Sequence, residues 1–340
     1  MKEEHLRYTV IVPVYNGEDT VRGCLKSLLE QKGVTYGKDY SILVVDDGST
    51  DQTWRIVKDF PVGLIHLPQN QGRIIARLTG AKNAKTERIL FVDSRVSLPD
   101  DTISKLDSFD GHPAVIGEME PGETKYESVI HTVLYLIRRR YYGKEFFPIK
   151  SDLLIKQDNF KRAPKGTAVL LIDRDLFIRL TPERTGRDVN DDTLLFHVLV
   201  FDHDMGLLRA KTLQFRYSQR TDPRQFSSWL FDRGVRFSDF YLRPGGYFHM
   251  PFLLIVAALA ALASLLFIPG GMLYLAGLTV GVNAMLSIYL SENPKDFTRV
   301  FLCLPLIVLI FGLGIAAFWA KMFSSLLPGL FKDMRKRSRP

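Results

Sequence analysis

The residues best placed to do chemistry are acids that follow short apolar runs. Asp46 and Asp47 close the run that begins at Tyr40 (YSILVV) and open Asp46-Asp47-Gly48-Ser49-Thr50-Asp51. Asp93 closes Arg88–Val92 and is followed by Ser94 and Arg95. A third group, Asp191-Asp192, opens the apolar stretch Thr193–Phe201. Carboxylates can accept hydrogen bonds, ligate a divalent cation, or take a proton near neutral pH when shielded or set beside another acid. Plainer readings stand beside these. Asp47-Gly48-Ser49 is also ordinary turn chemistry, with Ser49 or Thr50 capping the next helix. Asp191-Asp192 also suits an N-cap followed by a first-turn acid. Asp100 and Asp101, after Pro99, are read only as acids at a helix start.

The elements that must position these acids alternate. Tyr8–Tyr15, Tyr40–Val45, Val62–Leu67 and Arg88–Val92 read as buried strands; Gly17–Gln31, Thr53–Phe60, Gln71–Ala84 and a segment from Pro99 to Leu106 read as helices. Ala168–Ile172 is a further strand-like run. Such alternation predicts βαβ units and a mostly parallel sheet, in which ligands sit at the carboxyl ends of the strands. Asp46-Asp47 and Asp93 both fall at such ends. No glycine-rich dinucleotide fingerprint or Walker lysine motif follows the first strand. Cys24 and Cys303, the two cysteines, are too far apart to read as a metal pair or a disulfide framework. His131, His197 and His203 show no metal-ligand spacing.

Polarity is spread unevenly over the 340 residues, which carry 45 Lys and Arg against 37 Asp and Glu. No charged side chain occurs in the 48 residues Pro244–Ser291 or the 21 residues Val300–Ala320. A bilayer core needs about 20 apolar residues as helix. The longer run, broken at Pro269-Gly270-Gly271, predicts spans over Tyr247–Ile268 and Met272–Leu290, and the shorter run predicts a third over 300–320. The chain therefore divides into a soluble part (1–222), an amphipathic helix meeting the membrane (223–243), a membrane region (244–331) and a basic tail (332–340). Arg233, Arg236 and Arg243 precede the first span, which predicts a cytoplasmic N-terminal part. The tail prefers the same side. Either three spans break the charge rule, or Val300–Phe331, interrupted by Pro305, re-enters without crossing. Met1–Arg7 is polar, and Tyr8–Tyr15 is too short for the apolar region of a signal peptide.

Several stretches, taken in order, resemble the family-2 glycosyltransferases of the GT-A fold. Ile11-Val12-Pro13-Val14-Tyr15-Asn16 is similar to that family's first strand, and Val44–Asp51 to its nucleotide-binding signature. Asn70-Gln71-Gly72, with Arg77 and Gly80, resembles its N-x-G…R-x-x-G stretch; Phe91-Val92-Asp93 sits where its D-x-D occurs. Asn190-Asp191-Asp192 resembles the T/E-E-D base motif. Gln225–Trp229 resembles the Q-x-x-R-W of membrane-bound polysaccharide synthases. The resemblance covers roughly residues 8–240.

The resemblance implies an α/β, GT-A (nucleotide-diphospho-sugar transferase) fold, a mostly parallel sheet flanked by helices and followed by a C-terminal transmembrane helical region. Pro13, Tyr15, Asp46, Asp47, Gly72, Arg77, Asp93 and Arg95 would bind the donor nucleotide. Asp192 would be the general base, supported by Asp191. Gly166, Thr167, Gln225, Trp229 and Arg233 would face the acceptor. Two departures matter. Arg95 stands where the second D-x-D acid would ligate a metal, and an arginine only donates. Either Asp93 alone holds Mg²⁺ or Mn²⁺ with phosphate and water, or Arg95 supplies the positive charge, or Arg95 points into solvent. Ser228 replaces the arginine of Q-x-x-R-W, with Arg233 one turn beyond Trp229; Trp229 itself suits either a sugar-stacking or an interfacial-anchor role. The implied activity is inverting transfer from a nucleotide sugar, commonly UDP-linked, to a lipid-linked or polysaccharide acceptor at the cytoplasmic membrane face. A non-catalytic scaffold in an envelope-assembly complex is the alternative. The positive charge, gathered near the first span and in the tail, suits membrane lipids rather than nucleic acid.

Overall fold

The computed structural model describes residues 6–120, 128–181 and 191–337, the side chains at 191 and 325–337 left aside. Two compact units are present: residues 1–127, 138–187 and 191–219 form the first, and 128–137, 188–190 and 220–340 the second.

The first unit runs β1 (Tyr8–Val14), α1 (Val21–Leu29), β2 (Tyr40–Asp46), α2 (Thr53–Lys58), β3 (Gly63–His66), α3 (Arg73–Asn83), β4 (Arg88–Val92), β5 (Val96–Ser97) and β6 (Ala114–Met119). It takes the last turn of α4 (Val129–Tyr142) and continues through β7 (Leu153–Ile155), β8 (Val169–Asp173), α5 (Arg174–Leu180), α6 (Asp191–His197) and β9 (Leu207–Tyr217). The sheet order is β3-β2-β1-β4-β8-β6-β9-β5, with β7 also on β9. β1 to β4 pair in parallel, while β8 pairs antiparallel to both β4 and β6. The continuous apolar run of β1 is explained by burial on both sheet faces. α1 buries Val21, Cys24, Leu25 and Leu28, one helical stripe, against one of those faces. The sheet is GT-A in layout, a parallel half leading into a mixed half, with helices on both faces.

Two local expectations differ. The segment after Pro99 forms a 3₁₀ turn, Ile103–Phe109, rather than an α-helix. Its hydroxyls bond backward by three residues, Thr102 to Pro99 O, Ser104 to Asp101 O and Ser108 to Lys105 O, and so compete with helical bonding. α3 begins at Arg73, not Gln71, because the N–H groups of Gln71 and Gly72 are taken by Asp47 and Gly72 has φ 98°.

The second unit holds the first turns of α4, then α7 (Pro223–Phe237), α8 (His249–Ala263), α9 (Gly271–Leu290) and α10 (Pro294–Arg337). Asp222 caps α7 by accepting from Gln225 N at 2.8 Å, with Pro223 at the first position. Phe226 and Leu230 of α7 pack with Val133 and Leu136 of α4 and with Val300, Leu304 and Ile307 of α10. Farther along, α7 and α10 approach at two glycines. A Cβ on Gly234 would lie 2.2 Å from Phe311 O, and one on Gly314 2.1 Å from Phe231 O. Asn283 of α9 donates to Phe301 O of α10 at 2.9 Å.

Among the described residues, three helices are long and apolar enough to cross a membrane: His249–Phe267, which includes a closing 3₁₀ turn, Gly271–Leu290, and Pro294–Ser324. α10 is unbroken at Pro305, contrary to the interruption on which the re-entrant reading rested. Its 44 residues extend about 66 Å.

Candidate functional site

The parallel pairing sets the ends of β1, β2 and β3 side by side. Val14 is registered with Asp46, and Asp46 with His66. Asp46 is fully buried; its carboxylate accepts from Ser49 N at 3.0 Å and meets His66 Nδ1 at 2.8 Å. Asp47 is buried as well and accepts from Gln71 N at 2.8 Å and Gly72 N at 2.9 Å. Both acids thus shape the edge on which a ligand would sit, by tying the β2 loop to β3 and to the start of α3. Gly48 has φ 69°, and a Cβ there would fall 2.5 Å from the Gln69 carbonyl carbon. The turn needs glycine both for conformation and for space.

The loop after β1 is stitched to the loop after β2. Asn16 N donates to Ser49 Oγ and Asn16 Oδ1 accepts from Thr50 N, both at 2.9 Å. Gly17 N donates to Thr53 Oγ1 at 2.8 Å, and Glu18 accepts from Gln52 N at 2.9 Å. Ser49 and Thr50 therefore serve the neighbouring loop rather than capping α2. Asp51, just before the helix, accepts from Thr53 N at 3.0 Å, while the N-cap position itself is Gln52 with no side-chain cap bond. Pro13 is partly buried within β1, and Tyr15, just beyond it, is exposed at this edge.

Asp192, in the first turn of α6, sits in a cationic pocket. Its Oδ1 accepts from Arg77 Nη1 at 2.8 Å, although 115 residues separate them, and from Thr167 Oγ1 at 2.7 Å. Its Oδ2 lies 3.3 Å from Arg73 Nη2. Arg77 also donates to Thr167 O at 3.2 Å. Burial alone would raise the Asp192 carboxyl, but the Arg73 and Arg77 charges and the Thr167 and Arg77 hydrogen bonds outweigh it and hold the acid well below the usual range. This is the reverse of the expected environment, in which a second acid would raise the base. Asn190 and the Asp191 side chain lie outside the described residues. Gly166 is exposed, and the space around its α-carbon is open.

Asp93 follows β4. Its N–H donates to Ala168 O at 2.8 Å, and its Oδ1 accepts from Arg95 N at 3.0 Å. Arg95 Nη1 donates to Ser218 O at 3.3 Å, so its guanidinium is tethered to the chain beyond β9. Among the described residues no group of three or more His, Cys, Asp or Glu could hold a metal. One carboxylate fits only a cation whose other ligands are phosphate and water.

In the second unit, Gln225 is exposed near the start of α7. Trp229, partly buried, has Arg233 at 4.9 Å and Arg220 at 5.8 Å from its ring centroid. Those cations lie close enough for cation–π contact.

Arg73 and His66 escaped the sequence reading. Arg73 had a signal: a cation in the first turn of a helix opposes the helix dipole and calls for a nearby acid. His66 had none beyond its place at a strand end.

The parallel half of the sheet, leading into a mixed half with acids at the strand ends, is the layout of the GT-A fold. Residues 9–156 match the family model Glycosyl transferase family 2. The match includes Asp46 through Arg95 and stops short of Thr167 and Asp192. Among curated relatives, glycosyltransferase GlyA of Streptococcus pneumoniae is 40% identical over 29% of this chain and 14% of its own length. The poly(ribitol-phosphate) beta-glucosyltransferase of Bacillus spizizenii is 39% identical over 26% and 15%. The chain thus spans about one seventh of these relatives. A mannosyltransferase from Pyrobaculum calidifontis, solved with GDP-Man and Mn²⁺, superposes with a TM-score of 0.57 at 18% identity, covering 91% of this chain and 87% of that one. At that identity the likeness is one of fold.

Proposed function

We propose that this protein is a membrane-anchored, inverting glycosyltransferase that uses a nucleotide sugar. The observation that carries the reading is the bond between Asp192 and Arg77, which brings a carboxylate from late in the chain to the helix that starts at the donor edge. The donor nucleotide would lie along the ends of β1 to β4, among Pro13, Tyr15, Asp46, Asp47, Gly72 and Asp93. Uridine is the proposed base, from the resemblance. An acceptor hydroxyl would lose its proton to Asp192 as its oxygen attacks the anomeric carbon. The bond from that carbon to the diphosphate breaks, and the nucleoside diphosphate leaves with the electron pair. A single displacement of this kind inverts the anomeric configuration. Asp93 would hold a divalent cation, Mg²⁺ or Mn²⁺, together with donor phosphate oxygens; such a cation neutralises charge on the leaving group. Gln225, Trp229 and Arg233 would receive a lipid-linked or polysaccharide acceptor. The three apolar helices and the arginines before the first support a membrane location with the catalytic unit in the cytoplasm.

The test is transfer by detergent-purified protein across UDP- and GDP-sugars, with Mg²⁺, Mn²⁺ or EDTA. Asp192→Asn is expected to lower turnover at least about a hundredfold, as loss of a general base does, without weakening donor binding. Turnover that survives EDTA would assign the charge role to Arg95. If folded protein neither binds nor turns over any donor, the reading falls and the scaffold role takes its place.

A further inference from the structure

Asp192 presents two unlike oxygens. Oδ1 receives two close donors, Arg77 and Thr167, both buried and packed in place. Oδ2 is met at 3.3 Å by Arg73, whose side chain is 41% exposed against 5% for Arg77. A carboxylate that removes a proton must offer it a lone pair, and the lightly held oxygen is Oδ2. Of the two cations, Arg73 is the more exposed. Arg73 is also the first residue of α3, an 11-residue helix that opens just beyond the end of β3. A helix start favours phosphate, and guanidinium is the side chain that matches it in a fork. Arg77 Nε, deep in the same cluster, is buried without a hydrogen-bond partner among the described residues, so the pocket holds more donor capacity than Asp192 uses.

We propose that Arg73 is shared between Asp192 and the donor's diphosphate, so that donor binding draws Arg73 off Oδ2 and leaves that oxygen free to take the acceptor proton. The inference rests on the transferase reading above and adds an order to it: the base becomes competent only when the leaving group is in place. An empty site would keep Asp192 ionised but blocked, a weak proton acceptor that does not activate hydroxyls without a sugar to receive them. The charge balance is simple. The arriving diphosphate supplies the anion that replaces the carboxylate beside Arg73, and the proton later taken by Oδ2 meets only the buried Arg77 pair.

The experiment is calorimetric binding of UDP, UMP and uridine, and of the guanosine series, to the full chain in detergent. Arg73→Gln is expected to weaken the diphosphate about tenfold or more, the worth of a charged hydrogen bond, and to change the monophosphate and nucleoside little. Asp192→Asn is expected to do the opposite, tightening the diphosphate severalfold because Arg73 no longer has a competing carboxylate. With Arg73→Gln the acid limb of kcat/KM, which reports the free enzyme, should move to higher pH. The groups facing Oδ2 and Oδ1 are Arg73, Arg77 and Thr167, and Arg73 is the one removed. Equal weakening of all three ligands by Arg73→Gln, or unchanged diphosphate affinity in Asp192→Asn, would overturn the sharing while leaving the transferase reading intact. Failure of wild-type protein to bind any nucleotide would instead remove both.

Discussion

The two glycines at the crossing of α7 and α10 set opposing effects against each other. In an isolated helix, alanine is worth about 1 kcal/mol more than glycine. At Gly234 and Gly314 the added Cβ would sit 2.2 and 2.1 Å from a backbone oxygen of the other helix, whereas ordinary contact begins near 3.4 Å. Either substitution therefore forces the helices apart by about 1 Å, and such a gap forfeits a quarter to a half of the dispersion energy along the seam. Overpacking of this kind costs about 1–3 kcal/mol, so the packing term offsets the helix gain and exceeds it by up to about 2 kcal/mol. Gly312, on the same helix, is the control: nothing lies within 4 Å of its Cβ position. Gly312→Ala is expected to raise the melting temperature in detergent, and Gly234→Ala and Gly314→Ala to lower it, measured by far-ultraviolet circular dichroism at one scan rate. The double substitution should cost less than the sum, because both methyl groups open the same gap. If all three single variants melt at or above the wild type, the helices do not meet at these glycines and the reasoning fails.

Asp47→Asn turns one acceptor into an amide that faces a backbone N–H of Gln71 or Gly72. A loss of about 1–3 kcal/mol is expected, read as a lower melting temperature, and an unchanged melt would remove the bracing role. Burial, with Arg209 adding to it, pushes the Lys165 ammonium down to about 7. The unfolded chain keeps that proton to about 10.4, so it binds more protons between those values and stability should rise with pH from about 7 towards 10. Lys165→Met should flatten this slope and raise stability at pH 7; a slope that persists would place its origin elsewhere.

The parallel half of the sheet was legible because each strand is a short apolar run that ends in acids or turn residues. That pattern set Asp46, Asp47 and Asp93 on one edge before any coordinates. β5, β6, β7 and β9 were not read. β9 (LLRAKTLQFRY) exposes or half-exposes Lys211, Thr212, Gln214, Arg216 and Tyr217, and β5 is two residues long, so neither carries a clean period. Pairings across long stretches of chain were equally closed to local reading. Arg73 with Asp192 and the buried Glu118–Arg209 ion pair exist only once the sheet brings their strands and helices together. The glycine crossing was hidden for a related reason, since a glycine in an apolar helix looks the same whether it faces lipid or another backbone.

The bonds that join the β1 loop to the β2 loop have a thermodynamic consequence. Asn16, Gly17 and Glu18 are fixed to Ser49, Thr50, Gln52 and Thr53 by side chain–backbone bonds that reach across more than 30 residues. The conformational entropy of these loops is therefore lost when the domain folds, at about 1–2 kcal/mol for each residue ordered, and not when a ligand arrives. Asn16→Ala would return part of that cost to the binding step. Its signature would be an entropy of association made less favourable while the ligand's own contacts remain, so the rigidity of this edge is itself a source of affinity.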